Sequence, residues 1–160
     1  IIAAKNDRAH LALAAQLQDH SLFRLYHAVV AGGFQEDSGT VSAPIGRHKT
    51  DRKRMAVTPD GREAVTHWQV VDSQNGHTHL TCRLETGRTH QIRVHMAYLG
   101  RPLLGDTVYG AKKPVPGLAG QCLHARRLSF VHPRTGERVT VECPLPAYFT
   151  QVLTKLRHLV

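Results

Sequence analysis

The chain has 160 residues, enough for one hydrophobic core of ordinary size, and its 41% hydrophobic content is that of a globular domain rather than a disordered or fibrous chain. No apolar run approaches the roughly 20 residues that span a bilayer, and the apolar start Ile1 to Ala4 is far shorter than a signal peptide, so no membrane-spanning helix is read in this chain and a cytoplasmic location is expected. Twenty-one Lys and Arg against twelve Asp and Glu leave a formal charge of +9, which twelve histidines can raise beside phosphate, so the natural partner is a polyanion.

In chain order, Ile1 to Ala4 reads as a short buried strand that begins abruptly. Asn6 or Asp7 caps a helix running to about Asp19, with Leu11, Ala14, Ala15 and Gln18 at i, i+3, i+4 and i+7 and with Leu13 and Leu17 widening that face. Arg24 to Ala31 is rich in β-formers and ends at Gly32-Gly33, which predicts a strand and its turn, with Tyr26 at the strand's entry. Gly39 to Gly46 is a short strand broken by Pro44. It leads into Arg47 to Met55, where five of nine residues are Lys or Arg. Such a run is either a solvated loop or an arm; the scarcity of balancing acids and the position between strands favour an arm whose Arg47, Lys49, Arg52, Lys53 and Arg54 touch RNA backbone.

Glu63 to Val71 and His77 to Glu85 alternate as strands and meet at Ser73-Gln74-Asn75-Gly76, a strong hairpin signal. His77 and His79 share a strand face, but no third ligand is fixed by spacing, so no metal site is expected. Thr86 to His95 then packs two arginines, two histidines and a glutamine into ten residues. We read it as a loop feeding a helix, with Thr89 as N-cap, Gly100 as left-handed stop, and Ile92, Met96 and Leu99 as the buried stripe. Arg93 lies roughly 100° around from Ile92, at the edge of the core, and the free amides near residues 89 to 92 join Arg88 and Arg93 in a site for phosphate or carboxylate. His90 and His95 are about 140° apart on such a helix, which argues against a paired zinc site.

Arg101 to Gly110 holds Asp106 in a glycine-flanked turn, expected to cap backbone amides. Lys112 to Gly120 is a basic loop, and Leu128 and Val139 lie in two strands of a second hairpin around Pro133-Arg134-Thr135-Gly136. A last helix follows Pro146 with Phe149, Val152, Leu153 and Leu156 as its stripe. Cys82, Cys122 and Cys143 are odd in number and contain no C-x-x-C pair, so they read as buried free thiols. Hairpins outnumber helices, which predicts one α+β domain with a mainly antiparallel sheet.

Tyr26-His27-Ala28, Pro44-Ile45-Gly46-Arg47, Ala64-Val65-Thr66, Thr86 to His95, Gly100 to Asp106 with Tyr109-Gly110, Leu123-His124-Ala125, His132-Pro133 and Pro144-Leu145-Pro146 follow one another in an order and spacing that resemble the RluA-type pseudouridine synthases. The resemblance covers essentially the whole chain. It implies isomerisation of uridine to pseudouridine in large-subunit ribosomal RNA, with no cofactor or metal implied; a monomer is expected. Tyr26 matches the family's active-site tyrosine, and Arg93 matches the arginine that pairs with its essential aspartate. Arg88 and His90 join the arm as implied RNA contacts.

The family carries that aspartate in an H-R-L-D-x-x-T-S-G segment. None of the seven aspartates here has that context, which implies the C-terminal part of a longer synthase, inactive in isolation, with Arg93 facing an unfilled place. The competing expectation is a non-catalytic basic RNA-binding module.

Overall fold

Asn6 starts the first helix, α1 (Asp7–Gln18), because its side-chain oxygen accepts the Ala9 amide at 2.9 Å. In the computed structural model, which describes residues 1–158, there follow β1 (Phe23–Ala31), β2 (Ser38–Ser42), β3 (Ile45–Arg47), β4 (Met55–Val57), β5 (Val65–Gln74), β6 (His77–Leu84), α2 (Gln91–Tyr98), β7 (Leu123–Val131), β8 (Arg138–Glu142) and α3 (Ala147–His158). Six strands form one sheet in the order β2-β5-β6-β1-β7-β8, every neighbour antiparallel, and β3 pairs with β4 in a separate two-stranded arm. The α+β class with an antiparallel sheet is what the sequence predicts.

Alternation along β1 builds both faces of the sheet. Ala28 and Val30 join Leu80, Cys82, Trp68 and the α2 residues Ile92 and Met96 in the larger apolar cluster. Val29 points the other way, into a second cluster with Phe149, Val152 and Leu156 of α3. Each such large side chain contributes about 1.5–3 kcal/mol by leaving water. The helix after Pro146 and its stripe are therefore as expected. The β5–β6 hairpin turns on Asn75 and Gly76, whose φ values of 48° and 73° give the paired left-handed turn that Asn-Gly predicts.

Some local expectations fail. Residues 1–4 form no strand, since no ladder hydrogen bonds reach them. On α1, Leu11 is 68% exposed and Leu13 is buried. The helix phase is set instead by Gln16, whose amide donates to Val131 O at 2.9 Å and accepts from Val131 N at 2.7 Å. Leu99 is partly exposed rather than core, and Cys143 is exposed while Cys82 and Cys122 are buried.

Candidate functional site

The Thr86 to His95 segment is held by a directional chain of buried hydrogen bonds. The Val65 amide donates to Thr86 Oγ1 at 2.9 Å, and the Thr86 hydroxyl donates to Gln91 Oε1 at 2.7 Å. Gln91 Oε1 also accepts the Arg88 amide, while its Nε2 donates to Val65 O and to Thr66 Oγ1, each at 3.0 Å. The Thr66 hydroxyl then donates to His95 Nδ1, and His95 Nε2–H to Ala43 O, each at 2.9 Å. Every buried donor finds an acceptor, so the chain ties β5, the segments that follow β2 and β6, and α2 together without an orphan group. It requires a neutral His95; burial pushes that ring's pKa down, and the bond to Ala43 only partly offsets it.

The start of α2 differs from the expectation of a Thr89 cap. His90 precedes the first helical residue in the left-handed conformation, φ 57°, with no side-chain cap, and Gln91 reaches back to the Arg88 amide instead. The helix end is as predicted: Gly100, φ 70°, donates to Ala97 O at 2.9 Å and Arg101 N to Met96 O at 2.8 Å, the double bond pattern of a Schellman stop.

Arg93 projects from α2 onto Asp106. Its Nε donates to Oδ2 at 2.7 Å and its Nη2 to Oδ1 at 2.9 Å, a two-pronged fork. The Asp106 side chain is fully buried, and Oδ1 also accepts the amides of Val108 and Tyr109 at 3.0 Å each, the capping role expected of it. Burial pushes the Asp106 carboxyl up, but the Arg93 bonds and the two amides outweigh it and hold the group below the ordinary carboxylate value. The same hydrogen bonds raise the Arg93 pKa. The expectation that Arg93 faces an unfilled place is therefore corrected: a carboxylate thirteen residues on fills its fork. Only Nη1 makes no bond to a described residue.

Tyr109 ties this pair to the basic arm. Its ring lies 4.9 Å from the Arg93 guanidinium and 5.4 Å from that of Arg54, and its hydroxyl accepts the Met55 amide at 3.0 Å. The phenol proton consequently goes to His90 Nδ1 at 2.8 Å. His90 is held below its ordinary pKa by burial first and then by Arg93, against the pull of Asp106. Sequence reasoning gave Tyr109 no role; its only signal was its place in the Tyr-Gly dipeptide after Asp106.

Arg47, Lys49, Arg52 and Lys53 stand exposed on the β3–β4 arm, stapled where Arg47 Nη1 donates to Arg52 O at 2.9 Å. Arg54 is half-buried over Tyr109, and Arg88 Nε donates to Glu63 O at 2.8 Å. Tyr26 sits half-buried on β1 opposite Cys82 and Ala125, beside a register shift, and lines a cavity of about 570 Å³ with Arg24, Arg126 and Arg127. Among the described residues no hydrogen bond or ion pair joins Tyr26 to Arg93.

The sequence of this scaffold matches the model of the RNA pseudouridylate synthase family over residues 1–98. The chain belongs to that family. It is 51% identical over 157 residues to a Bacillus subtilis (strain 168) protein named as an uncharacterized RNA pseudouridine synthase, YlyB, covering 98% of this chain and 52% of that one. It is 46% identical over 170 residues to a Pseudomonas aeruginosa protein named ribosomal large subunit pseudouridine synthase D, covering 99% and 53%. The chain thus spans about half the length of the curated relatives it matches. The solved structure of human RNA pseudouridylate synthase domain containing 1 superposes with a TM-score of 0.74 at 26% identity, over 97% of this chain and 74% of that one. No helix among the described residues of this synthase-family chain is long and apolar enough to cross a membrane.

Proposed function

We propose that this chain is part of a cytoplasmic, monomeric pseudouridine synthase acting on large-subunit ribosomal RNA, in which these residues hold the uridine and orient the family's catalytic carboxylate while the isolated chain is inactive. Family membership supports the reaction class, and the ribosomal name of the Pseudomonas aeruginosa relative supports the RNA class. In the reaction the bond from C1′ to N1 breaks, the uracil turns, and C1′ rejoins at C5 while the C5 proton is lost and N1 gains one.

The observation that carries the reading is the rigid presentation of Arg93. With Nε and Nη2 fixed on Asp106, the guanidinium has one orientation, and Nη1 is the edge left to order the family's catalytic carboxylate. Asp106 itself is committed to Arg93 and to two amides, so it serves as a structural carboxylate. Tyr26 supplies a ring against which an unstacked uracil packs, and its hydroxyl is the group this reading assigns to the closing proton transfers. The exposed arm contributes the phosphate contacts that offset the few kcal/mol of unstacking.

The test is release of tritium from large-subunit RNA carrying C5-tritiated uridine, using the full-length protein. Release that tracks enzyme concentration is expected. RNA binding with no release would instead identify a non-catalytic binding module.

A further inference from the structure

A polar cavity of about 480 Å³ lies at the foot of the arm, between α1, the start of β1 and the Thr86–Arg88 turn. Arg24, Arg62 and Arg88 line it together with His20, and Glu63 is the one acidic residue there. Four arginines elsewhere find carboxylates: Arg93 pairs with Asp106, Arg126 and Arg127 with Glu142, and Arg157 with Asp72. Among the described residues none of the three arginines at this cavity has an ion pair.

Their neutral bonds explain where they are held. Arg24 Nη2 donates to Glu85 O at 3.0 Å, and its Nη1 fills the space that a Cβ on residue 87 would take. Arg88 Nε donates to Glu63 O, and His20 Nδ1 donates to the same Glu85 carbonyl at 2.8 Å. The Arg24 Nε is buried and has no partner. A buried guanidinium N–H without an acceptor is costly, and two neighbouring guanidiniums repel. Burial accordingly pulls the Arg24 pKa down, and the Arg88 charge adds to that against the opposing effect of Tyr26.

An anion with several acceptor oxygens would answer both defects at once. The cavity is also continuous with the arm, since Arg62 exchanges backbone hydrogen bonds with Ile45 at the arm's first strand, 2.9 Å each way. From these observations we infer that the Arg24–Arg62–Arg88 cavity is a phosphodiester site, taking one backbone phosphate of the bound RNA as the strand passes from the arm towards β1. The inference rests on the RNA-binding reading above.

The test measures binding of the full-length protein to a short oligouridylate across a salt series. The variants are Arg62→Gln, whose side chain makes no hydrogen bond among the described residues, and Arg138→Gln on β8, outside the cavity lining, as control. Arg62→Gln is expected to lower the magnitude of the log–log salt slope by about 0.7, one single-strand phosphate contact, and to weaken binding about fivefold. The control should leave the slope unchanged. Scanning one neutral methylphosphonate linkage along the oligomer should find a position that weakens the wild type and not Arg62→Gln. Equal slopes for all three proteins, with the wild type bound, would overturn this site and leave the RNA reading intact. No binding by the wild type would sink both.

Discussion

Arg93 and Asp106 form a two-pronged ion pair whose carboxylate is completely buried and whose guanidinium is nearly so. The pair joins α2 to the turn after Gly105, so the same contact that fixes the Arg93 guanidinium also closes the fold around it. Function and stability therefore cannot be separated by deleting either partner.

A conservative change separates them better. Arg93→Lys keeps the charge but loses the fork, so the remaining ammonium cannot satisfy both Asp106 oxygens and also hold a fixed edge outward. We expect turnover in the tritium-release assay to fall about a hundredfold, as for a misplaced catalytic group, with RNA affinity within a few-fold of wild type. Parallel losses in turnover and affinity would mean that Arg93 contacts phosphate. Asp106→Asn should cost about 3 kcal/mol in denaturant unfolding, because it leaves Arg93 buried without a counter-charge.

Tyr109→Phe tests the link between arm and site. The ring stays beneath Arg93 and Arg54, but the Met55 amide loses its acceptor and His90 Nδ1 its donor. A loss of about 1–3 kcal/mol in stability is expected from the orphaned amide. Amide hydrogen exchange should accelerate at Met55 and along β4 first; uniform acceleration across the main sheet would contradict the local role.

What could be read from the sequence follows from how local each signal is. The Asn75-Gly76 turn, the Gly100 stop and the α3 stripe depend on residues within one or two turns, and each was legible. Thr89 looked like a cap because it precedes an apolar period, yet the partner of the Arg88 amide is the Gln91 side chain, which is itself committed to Val65 and Thr66 on β5. Leu11 and Leu13 could each anchor α1, and only the Gln16 bonds to Val131, 115 residues away in sequence, decide between them. The Arg93–Asp106 pair is illegible for the same reason: each residue carries its own local signal, but their meeting is a tertiary event.

Three histidines give the fold an acid-side weakness. His79 is pushed down to about 4, by burial first and then by His27, whose Nδ1 lies 2.8 Å from its Nε2. His27 and His95 are lowered too, in both cases chiefly by burial. All three are neutral in the fold and protonate readily in the unfolded chain near pH 6.5. Their contribution is fully present above that pH and is lost as pH falls below it towards the folded values. Thermal stability should thus decline between pH 7 and pH 5, and His79→Gln, which can still bond to His27, should flatten the decline. An equal slope in the variant would show that His79 titrates normally.

Tyr26 carries two separable assignments, a ring for the base and a hydroxyl for the proton. Tyr26→Phe keeps the ring and its packing against the main apolar cluster, so folding and RNA affinity should hold. If the hydroxyl moves protons, turnover falls by about 10² to 10⁴ with unchanged binding. Tyr26→Leu also removes the stacking surface, and should weaken binding of RNA by the about 1–3 kcal/mol typical of a base–aromatic contact. The two variants together are decisive because the hydroxyl is lost in both and the ring only in the second. A Phe variant with wild-type turnover would restrict Tyr26 to the base-packing role and move the proton transfers to another group.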